Sequence, residues 1–378
     1  MSATRIALLL LTTLVLSSFL VYPMSGASLT SSTTVHVSGT IVYQKSTPLL
    51  GGWGGVRLFE TIRYTDEASD SQRTSPQSIV FSGEVASNAE MAMLYMKNHG
   101  WNTIRAYWEP PTSQQSPEWG YNDVWMQRFI AIAKALDMWI IVDCHGYQDH
   151  YLYEDQWISN WQHIISTFKD SYEQIVWEPQ NEPLMPGTGN SQTDVQDLGT
   201  IYQRWIDMCR SLGDTHWIIV SGICWSSHLP NFADWFPTVN DPLNRVFLNY
   251  HFYYFHQWEP VWTVAGAEST ADYWFNQVKA VIAKHNRPFI CTEIGATPYS
   301  AGDGYDQVPT AQYGGSAGYS TVSLAFVNKL ITDFHNEGIG YILWPAGDWA
   351  KDWSQGWHYT GLYGGMDIWG PLLPQGAF

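Results

Sequence analysis

The sequence predicts an α/β protein folded as a single (β/α)8 barrel with long loops on its carboxyl face. Three observations predict it. Short runs of β-branched and aromatic residues recur at intervals of roughly 30 to 50 residues, enough for a crossover helix and its loops. The segments between the runs include amphipathic helical patterns. Polar residues close nearly every run at its carboxyl end, where such barrels place their working side chains. Repeated strand–helix units also fit an open doubly wound sheet. Eight runs with polar tips favour closure.

The first run, Leu49 to Val56, gives way to a glycine-rich turn. Its glycines lack the GxGxxG spacing and cap no helix, so nucleotide binding is rejected. The other seven runs are Asn102–Tyr107, Trp139–Cys144, Ile175–Trp177, Trp217–Val220, Val246–Tyr250, Pro288–Thr292 and Gly340–Trp344. Asn122 to Leu136 reads as a helix with Val124, Phe129, Ile132, Ala133 and Leu136 on one face. Val322 to Asn336 repeats the pattern with Leu324, Val327, Leu330, Ile331 and Phe334, and Gly338 ends it. The residues in excess of a minimal barrel fall in Glu109–Gly120, Pro183–Asp197 and Ala296–Tyr319, all after strands. The catalytic domain is expected over residues 49–378, with 28–48 a short tether or edge strand.

Composition narrows the partners. The chain of 378 residues carries 18 Lys plus Arg against 35 Asp plus Glu, a formal net charge of −17. Nucleic acid, which demands a basic face, is therefore not expected. A neutral polymer raises no such conflict. The 21 Trp and 22 Tyr include many beside Gly and Pro, where exposed rings suit stacking on sugars. Met1 to Ala27 reads as a secretory signal, with Arg5 before an apolar core and Ser25-Gly-Ala27 as a cleavage pattern. The core is shorter than a spanning helix needs, so the expected product is secreted, with an uncleaved anchor as the alternative. Cys144, Cys209, Cys224 and Cys291 are widely spaced without metal-site spacing; four cysteines allow three pairings, and buried free thiols are expected. The expected working unit is a monomer without cofactor or metal.

Two runs end alike. Ile175-Val-Trp-Glu-Pro-Gln-Asn-Glu-Pro183 stops at a proline, which cannot continue a ladder, and Arg287 to Gly295 carries Glu293 at its tip. Two strands each delivering one glutamate to the same rim supply the acid and the carboxylate that glycoside hydrolysis requires. At the other tips stand Arg105, His145, Asn181, His251, Tyr253 and Trp344. In the order Ile104-Arg105, Asp143-Cys-His145, Asn181-Glu-Pro183, His251-Phe-Tyr253, Thr292-Glu-Ile-Gly295 and Trp344, these pieces resemble glycoside hydrolase family 5, the endoglucanase and mannanase family. The resemblance runs from Leu49 to about Gly361.

It implies Glu182 as acid/base and Glu293 as nucleophile, with Asn181 binding the sugar 2-hydroxyl. Arg105 and Tyr253 would stabilise the charge of Glu293, His145 and His251 would position substrate, and Trp344 would form a stacking floor. Glu182 would have a raised pKa, chiefly through the charge of Glu293. Each has a plainer reading: Arg105 could neutralise Glu178, the histidines could be ordinary buried ones, and Trp344 could be core. His150 and His256 nearby could suggest a metal, but without ligand spacing. Pro345 after Trp344 departs from the small residue usual there. Further subsites are expected from Trp108, Trp225, Trp258 or Trp262 along an open groove. The implied activity is a retaining endo-β-1,4-glucanase on cellulose-like glucans; the alternatives are an endo-β-mannanase, an exo-acting β-glucanase, or a non-catalytic glycan-binding barrel.

Overall fold

A computed structural model describes the strand segments of 35–57, residues 101–108, 110, 121, 123–186, 191–226, 231–254, 263–295 and 321–343, helical residues 93 and 97, and two strands within 349–359. The expected signal segment, Trp344, Pro345, His256, Trp258, Trp262 and most of the segments 109–120 and 296–319 lie outside the described residues. Among the described residues no helix is long and apolar enough to cross a membrane.

Strands β1 (Val35–Ser38), β2 (Ile41–Gln44) and β3 (Thr47–Pro48) form a small antiparallel sheet. The main sheet takes β4 (Gly51–Arg57), β5 (Thr103–Trp108), β6 (Trp139–Cys144), β7 (Ile175–Glu178), β8 (Trp217–Ser221), β9 (Val246–Asn249), β10 (Phe252–Tyr253), β11 (Phe289–Gly295) and β12 (Gly340–Leu343). Each of β4 to β8 pairs in parallel with the next; β9 pairs with β11, β11 with β12, and β12 returns to β4. That ring of eight parallel strands is the predicted closed barrel, and β10 is a short continuation beside β11. A hairpin of β13 (Trp349–Asp352) and β14 (Gly356–Tyr359) follows.

The crossover helices are α1 (Asp123–Ala135), the one-turn α2 (Asp149–Leu152), α3 (Glu154–Phe168), α4 (Gln192–Ser211), α5 (Val264–His285) and α6 (Thr321–Asn336). The described residues of the α1 and α6 patterns fall where the periodicity placed them, with one correction: Val124 is 60% exposed and not on the core face; the side chain of Leu324 lies outside the described residues. Four further helices, α2 to α5, escaped the sequence reading. The segment 183–197 is in part the start of α4, whose N-cap Ser191 and Asp194 form a capping box. Several helices stop the same way. Asp137, Gly213, Asn286 and Gly338 take left-handed φ of 52°, 77°, 49° and 66°, and each turns the chain toward the next strand.

Inside the barrel, one parity of β6, β7, β8, β9, β11 and β12 forms a separate apolar cluster of Trp139, Ile141, Val176, Trp217, Ile219, Phe247, Ile290 and Ile342. The opposite parity packs outward with the helices in the larger core. Moving two residues further along the inward parity reaches Asp143, Glu178, Ser221, Asn249 and Thr292, all buried. The barrel is therefore plugged with hydrocarbon below and lined with polar groups above.

Candidate active site

The polar layer is built around Arg105 of β5, which is fully buried. Its Nε lies 2.6 Å from Glu178 Oε2, and Nη1 lies 2.6 Å from Glu293 Oε1. Nη2 is 2.6 Å from Asn181 Oδ1, 2.9 Å from Asp143 Oδ2 and 3.0 Å from Glu178 Oε1. The two readings of Arg105 are thus both realised, since it contacts Glu178 and Glu293 together. One guanidinium facing three buried carboxyls leaves an excess of acid. Burial pushes Asp143 and Glu178 each up to about 8, against the pull of Arg105.

Glu293 reaches this cluster through an irregularity. Along β11, Ile290 and Cys291 pair with Gly340 and Tyr341, but Ile294 pairs with Leu343. One extra residue lies between, so Thr292 and Glu293 both reach the polar cluster while Cys291 and Ile294 face the outer core. A bulge that re-aims a side chain is a common device beside active sites. Tyr253 on β10 donates from its hydroxyl to Glu293 Oε2 at 2.5 Å.

Glu182 enters from the other side. β7 ends at Glu178, and Pro179 presents its carbonyl to the indole N–H groups of Trp157 and Trp161 on α3, at 2.9 and 3.1 Å. The chain then runs along the exit of β6, where Asn181 N–H donates to Cys144 O at 3.0 Å and Glu182 N–H to Gly146 O at 3.2 Å. Glu182 Oε1 lies 2.8 Å from His251 Nδ1, which is 3.6 Å from Glu293 Oε2. One oxygen of each glutamate and a ring nitrogen of His251 lie within 4.8 Å of one another.

Burial raises Glu182 well above the usual carboxylate range, and the charge of Glu293 adds to it while Arg105 opposes. The order of causes corrects the sequence argument, which put the neighbouring charge first. His251 is held well below the usual imidazole range by burial, then by Arg105 and His145, so it is neutral. Its Nε2 lies 3.0 Å from Thr292 Oγ1 and 3.3 Å from Asn249 Nδ2. His145 holds Asp143 at 2.8 Å through Nδ1, 4.0 Å from Glu293, with its ring against Tyr107.

The structure thus gathers Arg105, His145, Asn181, Glu182, His251, Tyr253 and Glu293. Among the described residues the Glu182, His251 and Glu293 donors are the ones close enough to hold a metal ion. His150 is not among them; it is buried edge-on to Trp157 and lowered by burial to about 3. All four cysteines are free and buried. Trp108 is not a subsite: it is fully buried against Tyr121 and Trp161. Trp225 is 37% exposed on the exit of β8, where Cys224, Trp225 and Ser226 all adopt left-handed φ between 50° and 59°. Asn249 and Thr292 were not singled out as site residues. Their signal was parity, since both stand two residues beyond inward apolar positions.

A closed parallel barrel with two acidic side chains converging at its carboxyl mouth defines the (β/α)8 glycosidase class. The chain belongs to the cellulase family, glycosyl hydrolase family 5, whose family model matches residues 66–348. Among solved structures it is similar to XacCel5A in complex with cellopentaose, at 16% identity and a TM-score of 0.55, covering 85% of this chain and 99% of that one. It is also similar to a family 5 lichenase from Caldicellulosiruptor sp. F32 in complex with cellotetraose (17% identity, TM-score 0.53, 78% and 83% covered). A broad-specificity endoglucanase from Clostridium longisporum shows 15% identity, a TM-score of 0.54, and coverage of 86% and 95%. No curated protein matches the sequence.

Proposed function

We propose that this protein is a retaining endo-β-1,4-glucanase working by double displacement, with Glu293 as nucleophile and Glu182 as acid/base. The observation that carries the reading is the spacing: a Glu182 oxygen and a Glu293 oxygen lie within 4.8 Å. Retaining enzymes hold their carboxyls ~5–5.5 Å apart, whereas inverting ones need ~6.5–9.5 Å to admit a water. Glu293, held by Arg105 and Tyr253 through separate oxygens, is suited to attack the anomeric carbon. Glu182, held by His251 and raised by burial, keeps a proton for the departing oxygen. Covalent loss of the Glu293 charge then lowers its proton affinity, so it can take a proton from water. Asn181 accepts from Arg105 through Oδ1, and its buried Nδ2 has no partner among the described residues. That amide is a donor suited to the sugar 2-hydroxyl.

The β-glucan assignment is supported by the endoglucanases and the lichenase among the structural relatives, and export by residues 1–27. It is tested by a panel of soluble β-glucans, mannans and xylans with product lengths followed over time. Early mid-length products from β-1,4-glucan are expected; preferential mannan cleavage or release of only terminal units would reject the substrate or the endo mode. The roles are tested with azide. Glu182→Ala on an aryl glycoside should give a burst of phenol and then a β-glycosyl azide. Glu293→Ala should form no glycosyl-enzyme, and azide should yield only the α-product. Swapped behaviour reverses the roles, and full activity in either variant removes that residue from the mechanism.

A further inference from the structure

We propose that Asn249 is a positioning residue whose side-chain amide holds His251 with its ring hydrogen on Nδ1, facing Glu182. The inference rests on the reading of Glu182 as acid/base and concerns a residue outside the reacting pair. Asn249 ends β9 and is fully buried.

Neighbouring strands set the orientation of the amide. β9 pairs with β11 as far as Ile290, opposite Asn249. Just beyond, the Thr292 N–H donates to Asn249 Oδ1 at 2.9 Å. A backbone N–H cannot accept, so the amide oxygen is fixed there and Nδ2 points away from it. On β8, Ser221 stands opposite Asn249 in register and its Oγ accepts from Nδ2 at 2.9 Å. The other neighbour of Nδ2 is His251 Nε2, at 3.3 Å. One amide hydrogen is directed at each.

The ring hydrogen follows from this. The Thr292 hydroxyl donates to Glu178 Oε1 at 2.8 Å, while its oxygen lies 3.0 Å from His251 Nε2. With that hydroxyl hydrogen committed to the carboxyl, Asn249 is the donor for Nε2, and the neutral ring carries its hydrogen on Nδ1. The opposite tautomer would offer an Nε2 hydrogen to Thr292 Oγ1. It would also set N–H against N–H at Asn249 and leave a buried amide hydrogen without an acceptor. A doubly protonated ring meets the same conflict. The far side of the ring agrees, since Nδ1 lies 2.8 Å from Glu182 Oε1 and 3.6 Å from Glu293 Oε2. A hydrogen there faces two carboxyl oxygens that accept; a lone pair would be repelled by either in its ionised form.

The consequence concerns the strength of the acid. With Nδ1–H bound to Oε1, Glu182 carries its transferable proton on Oε2. The carboxylate left after transfer keeps the same donor and takes its next proton from water. A hydrogen bond to the charged form opposes the upward push of burial on Glu182. Asn249 therefore acts on the acid/base through His251, without touching substrate.

The test uses the intact protein without substrate. With 15N-labelled histidine at about pH 7, the His251 signals, identified by their loss in His251→Gln, should show a protonated Nδ1 and a bare Nε2. Asn249→Leu keeps the approximate size and removes the donor. Its ring hydrogen should move to Nε2, where Thr292 Oγ1 accepts it. The carboxyl titration of Glu182, read with 13C-labelled glutamate, should then move up by about one to two pH units. The alkaline limb of kcat/KM on a soluble β-glucan should move the same way, which loosened packing alone would not produce. A hydrogen on Nε2 in the wild-type protein overturns the proposal. So does a folded Asn249→Leu protein in which either the tautomer or the Glu182 titration is unchanged. If Asn249→Leu does not fold, the wild-type tautomer decides alone. Because the spectra need no hydrolysis, failure of the glucanase reading and failure of this inference are separable.

Discussion

A methyl carbon added at Gly146 would sit 2.0 Å from Asp149 Oδ2 and 2.4 Å from Pro110 Cγ. The position has no room for a side chain, and its carbonyl holds the Glu182 N–H. Gly146→Ala should therefore displace the acid/base and lower kcat/KM by on the order of ten- to a hundred-fold, while circular dichroism shows a folded barrel; unchanged kinetics would deny the coupling. A second residue prediction separates the two causes acting on Glu182. Burial is the larger and the charge of Glu293 the smaller, so Glu293→Gln should lower the Glu182 pKa yet leave it above the usual carboxylate range. A carboxyl NMR titration reads this directly, and a fall to the ordinary value would make the charge dominant. Glu182 and Glu293 were legible in the sequence because each closes an apolar run beside a proline or glycine. Asn249 and Thr292 were not, because a small polar residue within a strand looks the same whether it faces solvent or a buried network.

At the scale of elements, strand positions were legible because buried parallel strands are continuous apolar runs. The bulge in β11 was not, since nothing in Ile290-Cys-Thr-Glu-Ile294 marks an extra residue; only pairing with β12 defines it. The missed α4 has a large polar surface, and its start was hidden in a loop-like stretch although Ser191 and Asp194 have capping-box positions. Ser191→Ala should cost about 1 kcal/mol, measured by denaturant unfolding, with no change in activity on short substrates. The turn after β8 places three consecutive non-glycine residues in the left-handed region, a conformation kept where surrounding structure enforces it. It holds Trp225 partly exposed on the face that bears the site. Trp225→Ala should weaken binding of long glucan chains more than short ones in calorimetric titrations; equal loss for both would remove Trp225 from the outer subsites.

The whole molecule joins a hydrocarbon-filled lower barrel to a buried acidic mouth, and this combination ties stability to pH. Asp143 and Glu178 are raised to about 8, and Glu182 is also raised; in the unfolded chain such groups titrate near ~4. Between these values the folded protein holds protons that the unfolded chain has lost, so stability falls as pH rises. His150 and His251 are lowered and act oppositely, but only below the unfolded imidazole value of ~6.5. From about pH 6.5 to about 8 only the acids act, and calorimetry should show Tm falling. Asp214 and Asp241 are lowered, and their contribution is lost below about pH 4. A Tm that rises from pH 6.5 to 8 would mean that the buried carboxyls are ionised.

The eight-strand closure brings together, from β5, β7, β10 and β11 and the loops after β6, β7 and β9, groups far apart in the chain, and the proposed chemistry depends on the separation that closure fixes. That separation has a stereochemical consequence. Proton NMR of the first product released from a soluble β-1,4-glucan, recorded before mutarotation, reads it most directly. Double displacement at Glu293 with Glu182 as acid/base predicts the β-anomer first, with the α-anomer growing only as the solution equilibrates; the α-anomer appearing first would contradict it.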